Sequence, residues 1–170
     1  MRHVLRFSLV ALQLILAVAL AERAALAADE DKFLGTWALN AAKSSAPAGS
    51  VPSSATVVLS KTGEAGTYKS VSDFNLAGTA LHSEITFAID GKDYTPVNTP
   101  APPPGAPSVT QSFERVGSSA YKTLVKVSGT AVATILNEVS ADGKTLKVTT
   151  TGAGPAAGAG ATATLVFDRT

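Results

Sequence analysis

Cysteine is missing from all 170 positions, which excludes a disulfide framework, a thiolate metal site, a cysteine nucleophile and a lipid-modified cysteine anchor. Histidine occurs twice, at His3 and His82. A metal site needs three or four converging ligands, so His82 with Glu84 two residues on does not make one. Lysines are scattered singly, with no basic stripe to follow a phosphate backbone, and this argues against nucleic acid as a partner. Aromatic residues make up 6% of the chain, and Trp37 is the only tryptophan. No glycine-rich phosphate loop leads from a strand into a helix, and no serine stands in a Gly-x-Ser-x-Gly elbow. Asp90 and Asp93 flank a turn, where exposed acids are the default. These absences describe a chain that is not an enzyme and requires no cofactor.

The longest apolar run, from Phe7 to Ala21, falls short of the about 20 residues that a membrane-spanning helix takes. It follows the cationic start Arg2 to Arg6 and precedes Ala25-Leu26-Ala27, a small-x-small triplet. Residues 1–27 therefore read as a signal peptide helix cleaved after Ala27, giving a periodic-strand protein of the periplasm or the extracellular space with no stable membrane anchor. Cleavage removes Arg2, Arg6, Arg23 and Glu22, which turns the formal charge of +1 into −1. Residues 28–170 suit one domain, held by burial and hydrogen bonding alone.

Within that domain the dominant period is two. Leu81, Ser83, Ile85, Phe87 and Ile89 share one face, as do Trp37 and Leu39, and Leu146 and Val148 lie opposite Lys144 and Lys147 in parity or position. Strands are predicted over 34–40, 55–61, 67–75, 81–89, 92–97, 108–116, 121–127, 130–139, 144–151 and 162–170. Between them stand turn signals: Gly63 and Gly66, Gly78, Asp90-Gly91, Gly117, Ser128-Gly129 and Asp142-Gly143. Asp-Gly is the pair a two-residue mirror-image turn requires, so Asp90-Gly91 predicts a hairpin. Residues 44–54 read as a loop over one end. Pro96 to Pro107 holds six prolines, a density that predicts surface polyproline II with no regular strand. Gly152 to Ala161, nearly all glycine and alanine, predicts a loop without a core of its own. About ten short strands joined by tight turns make an all-β fold, either a sandwich or an antiparallel up-and-down barrel of 8–10 strands, with the meander favouring the barrel.

The string Gly35-Thr36-Trp37-x-Leu39-Asn40-x-x-Lys43-Ser44, with Asp90-Gly91-Lys92-Asp93-Tyr94 and Ser140-Ala141-Asp142-Gly143-Lys144-Thr145-Leu146, resembles uncharacterised bacterial exported proteins described as lipocalin-like. A Gly-x-Trp on the first strand and a basic residue on the last resemble the calycin pattern of lipocalins and fatty-acid-binding proteins. The resemblance implies a structural signature of Gly35, Trp37 and Arg169, with Trp37 plugging the barrel floor and Arg169, or less well Arg115, packed across it. Ala38 and the proline-rich insertion depart from the pattern. In physical terms, glycine admits a close approach, the indole fills the taper, and a guanidinium stacks on its face.

Two functional readings follow. One is a barrel that binds a small hydrophobic ligand in a cavity lined by Ile85, Phe87, Phe113, Leu146 and Val148. The other is an envelope interaction module that docks a protein or cell-wall component through its surface or through 96–107. The oligomeric state is left open by the sequence.

Overall fold

The computed structural model of the chain describes residues 32–47, 50–154 and 158–170. The signal segment 1–27 and the acidic residues before Lys32 lie outside them. Eleven strands form one antiparallel sheet: β1 (Gly35–Leu39), β2 (Ser54–Lys61), β3 (Thr67–Leu76), β4 (Thr79–Ala88), β5 (Asp93–Tyr94), β6 (Val97–Thr99), β7 (Val109–Gly117), β8 (Ala120–Val127), β9 (Thr130–Val139), β10 (Thr145–Gly154) and β11 (Gly158–Arg169). From β7 to β11 and from β1 to β4 each strand pairs with the next, and β1 pairs with β11, so the meander curls into an up-and-down barrel rather than two packed sheets. The described regular structure besides strands is one 3-10 turn, Ala41–Lys43.

Alternation sets the inner face. Trp37 faces Val57, which faces Ser72, which faces Ser83; directly opposed residues share a side of the sheet, so the fully buried Trp37 marks all four as inward. By the same rule Leu59, Tyr68, Ile85, Phe87, Tyr121, Leu146, Leu165 and Phe167 point inward, and they form the buried cluster. Burying each such side chain stabilises the fold by about 1.5–3 kcal/mol. That is the term which must replace the absent disulfides.

Turn chemistry decides where the meander is tight. Ser128 and Gly129 take φ of 48° and 78°, and Ala77 and Gly78 take 51° and 83°, the pattern of two-residue hairpins that match strand twist. Asp90-Gly91 behaves differently. Only Gly91 has a positive φ, Asp90 Oδ1 accepts from the Lys92 amide and the Tyr94 hydroxyl, and β5 pairs with β7 instead of returning along β4. The predicted hairpin is thus a crossing: the chain leaves β4, makes a two-residue ladder with β7, and then returns to β4 as β6.

That crossing is how the barrel closes. No ladder joins β4 to β7 among the described residues. Instead the Phe87 and Phe113 rings stack with centroids 3.8 Å apart, and the Gly91 amide donates to the Phe113 carbonyl at 2.9 Å. Two further expectations are corrected. Val97–Thr99 forms β6 inside the segment predicted to hold no strand, because its prolines, Pro96 and Pro100, flank the strand and leave its amides free to pair with β4. Gly152 and Gly154 continue the β10–β11 ladder as far as Gly154 opposite Gly158: hydrogen bonds to a preformed neighbour hold glycine extended where its own propensity would not. The eleven strands exceed the expected 8–10 because β5 and β6 are too short to carry an alternation.

Candidate functional site

One end of the barrel is closed by the opening motif. Trp37 donates its indole N–H to the Phe33 carbonyl at 2.9 Å, and the Arg169 guanidinium lies 4.3 Å from the indole centroid. The same guanidinium donates to the carbonyls of Gly143 at 2.7 Å and Leu34 at 2.6 Å, and to that of Lys32. Gly35, at φ +128°, sits so close that a Cβ there would lie 2.7 Å from Arg169 Nη1. Arg115, the weaker alternative, is 5.8 Å from the Phe33 ring and belongs to the same end. Tyr121 packs edge-on to Phe33 at 4.9 Å, and burial pushes its phenol well above its ordinary range.

The polar part of the motif ties the first strand to the last. Asn40 Oδ1 accepts from the Lys43 amide and so caps the 3-10 turn, while its Nδ2 donates to Asp168 Oδ2 at 2.6 Å. Lys43 Nζ lies 3.1 Å from Asp168 Oδ1. Ser44 Oγ donates to the Asn40 carbonyl and accepts from the Val166 amide. Hydrogen bonding to Asn40, then to Lys43, holds the Asp168 carboxyl below its usual range. These residues build a seam and present no reactive group to a ligand.

Above the floor the inner wall changes character. Phe87, Phe113 and Leu146, three of the five residues predicted to line a cavity, belong to the buried floor cluster, with Ile85 and Val148 further up. Higher still the inward positions are small or polar: Ser70, Ser72, Ser83, Thr123, Asn137 and Thr150. Ser70, Ser72 and Ser83 remain partly exposed although they point into the barrel, as do Val57 and Phe74, and Leu81 is 39% exposed. Water therefore reaches the inner face from the end opposite Trp37. Asn137 Nδ2 donates to Thr123 Oγ1 at 3.3 Å, a pair that rigidifies the wall at mid-height. The alternation of serines with Tyr68 and Phe74 along β3 carried this signal; composition alone does not show it.

The outer face carries the one described histidine. Thr56, Asp73, His82 and Thr99 oppose one another across β2, β3, β4 and β6, on the side away from Trp37. His82 Nδ1 is 2.7 Å from Asp73 Oδ1 and Nε2 is 3.4 Å from Glu84 Oε1, and Lys69 Nζ is 2.7 Å from Glu84 Oε2. The hydrogen bond to Asp73 raises the His82 pKa above its ordinary value, and Lys69, then His82, lowers that of Glu84. The groups form an ion-paired chain. Among the described residues no three His, Asp or Glu side chains converge as metal ligands. Beside the chain lies an open groove of about 510 Å³ lined by Ser54, Thr56, Asp73, Asn75, His82 and Pro100, among others; within it Asn75 Oδ1 is buried without a hydrogen-bond partner.

No family model matches the chain, and no curated protein does. Solved structures do. The wild-type fluorescent protein UnaG is 19% identical, with 82% of this chain and 98% of that one covered at a TM-score of 0.58. Two single-residue variants of UnaG give 18% and 19% identity, the same 82% of this chain, 97% and 96% of theirs, and TM-scores of 0.58 and 0.57. At that identity the likeness is one of fold: a calycin-type β-barrel.

Proposed function

We propose that this chain is an exported, non-catalytic carrier that holds a small apolar ligand in the upper half of its barrel. The observation that supports the reading most is the partial exposure of inward-facing side chains above the aromatic floor, Ser70, Ser72, Ser83 and Phe74. A core residue that points inward and still meets solvent borders unfilled space, and barrels of this size house one small ligand. The calycin-type fold agrees with the reading. In it Ile85 and Val148 contact the ligand's apolar body, and Phe87, Phe113 and Leu146 support it from below. Export follows from residues 1–27, with cleavage after Ala27.

The test uses residues 28–170 and Nile red, a neutral dye that brightens on leaving water. Saturable brightening with micromolar affinity is expected, and Ser72→Phe, which fills the upper lumen, is expected to abolish it while the far-ultraviolet circular dichroism stays that of the parent. A dye signal that does not saturate, or one unchanged by Ser72→Phe, refutes the reading.

A second reading is favoured by the outer groove, where the unpartnered Asn75 Oδ1 and the start of the proline-rich segment meet. There the chain acts as an envelope interaction module. Deletion of 101–106 is expected to leave folding intact and to abolish capture of an envelope partner; unchanged capture removes this version.

A further inference from the structure

Charge is distributed unevenly along the barrel axis. Five stretches contain no Asp, Glu, Lys, Arg or His: 44–60, 74–81, 94–113, 127–137 and 148–167. The topology brings them together. Each spans a connection at the end away from Trp37: the loop into β2, the β3–β4 turn, the β6–β7 loop, the β8–β9 turn and the β10–β11 hairpin. The connections at the Trp37 end carry Lys61 and Glu64, Asp90 to Asp93, and Asp142 and Lys144. Thus one end and the outer face are ionic, and the mouth is not.

The lumen follows the mouth. The described strand residues of inward parity that carry charge are Lys61, Arg115 and Arg169. Lys61 ends β2 opposite Tyr68, Arg115 lies against Phe33 and Arg169 against Trp37, so all three are at the closed end. Lys69, Asp73, Glu84, Glu114, Lys122, Glu138, Lys147 and Asp168 have outward parity. Ser70, Ser72, Ser83, Thr123, Asn137 and Thr150 offer hydroxyls and an amide, groups that give and accept hydrogen bonds but cannot neutralise an ion. An ionised carboxylate or phosphate placed there exchanges water for a wall with no counter-charge, which costs several kcal/mol.

We infer that the ligand class of this lumen is neutral: an apolar molecule whose polar ends are hydroxyl or carbonyl groups, not a fatty-acid anion or a phosphorylated lipid. The inference rests on the lumen reading proposed above. Selectivity arises from desolvation, since the wall satisfies a hydroxyl and leaves an anion unpaired.

The experiment compares two ligands of one chain length, hexadecanol and hexadecanoate, by displacement of Nile red from residues 28–170 at pH 8, below the critical micelle concentration of either. The alcohol is expected to displace the dye at a concentration at least tenfold lower than the acid. In Ser83→Lys, which puts a cation on the inner wall, the ratio is expected to reverse. Equal potency, or a more potent acid, in the parent protein overturns the inference, as does dye that neither ligand displaces. Failure of Nile red itself to bind overturns the lumen reading instead, so the two failures are distinct.

Discussion

Arg169 shows how much one side chain can join. It meets the face of Trp37 and three backbone carbonyls from both termini of the barrel, and charge-assisted hydrogen bonds contribute about 1.5–3 kcal/mol each where they are shielded. Partial exposure reduces that figure, so Arg169→Ala is expected to lose about 2 kcal/mol in urea unfolding, with Arg169→Lys recovering only a fraction because an ammonium cannot span the three carbonyls. Gly35→Ala should cost on the order of 1–3 kcal/mol, since alanine at φ +128° is strained and its Cβ meets a guanidinium held in place. The signature of Gly35, Trp37 and Arg169 was legible in the sequence because a close approach needs glycine and a stack needs an indole and a cation. Asn40, Lys43 and Ser44 were legible as a motif, but not as a clasp on Asp168 and Val166, which are more than 120 positions away. His82 adds a pH dependence. Its pKa is raised in the folded state, so its contribution to stability is complete below the unfolded value of about 6.5 and is lost as pH rises through the folded value. The urea midpoint is expected to fall between pH 6 and pH 9, by less in His82→Gln than in the parent.

At the scale of elements, the hairpins separate turn chemistry from sheet context. Ala77 occupies a left-handed position at φ 51°, where an L-residue with a Cβ pays about 1–2 kcal/mol relative to one at ease. Ala77→Gly is therefore expected to raise the melting temperature by a few degrees, a gain that scanning calorimetry resolves. Gly152 makes the opposite case. At φ +109°, a Cβ there would lie 2.5 Å from the Val132 carbonyl oxygen, backbone that cannot swing away, so Gly152→Ala is expected to cost more than Gly129→Ala, whose Cβ would meet open space. Long alternating strands such as β4 and β9 were readable from parity. The β5 and β6 ribbons were not, since two or three residues hold no period and their partners, β7 and β4, are chosen by the crossing at Asp90-Gly91.

For the whole molecule, closure is the decision on which both stability and the proposed lumen depend. The seam between β4 and β7 rests on the stack of Phe87 on Phe113 in place of a ladder, so Phe87→Ala is expected to cost about 3–5 kcal/mol, in the range of a large buried aromatic lost, and to raise the hydrogen-exchange rate of β4 and β7 amides above that of β9 and β10. A chain without disulfides has few other means of holding that seam. What the sequence by itself determined was everything that follows from period and residue type: an all-β meander, an inward and an outward face, the identity of the floor plug, and the absence of catalytic or metal-binding groupings. What only the tertiary structure decided was the choice of barrel over sandwich, the β4–β7 seam, and the gathering of five uncharged stretches around one mouth. The reason is physical: alternation and turn geometry act over a few residues, whereas closure and the sorting of charge to one end depend on which distant strands become neighbours.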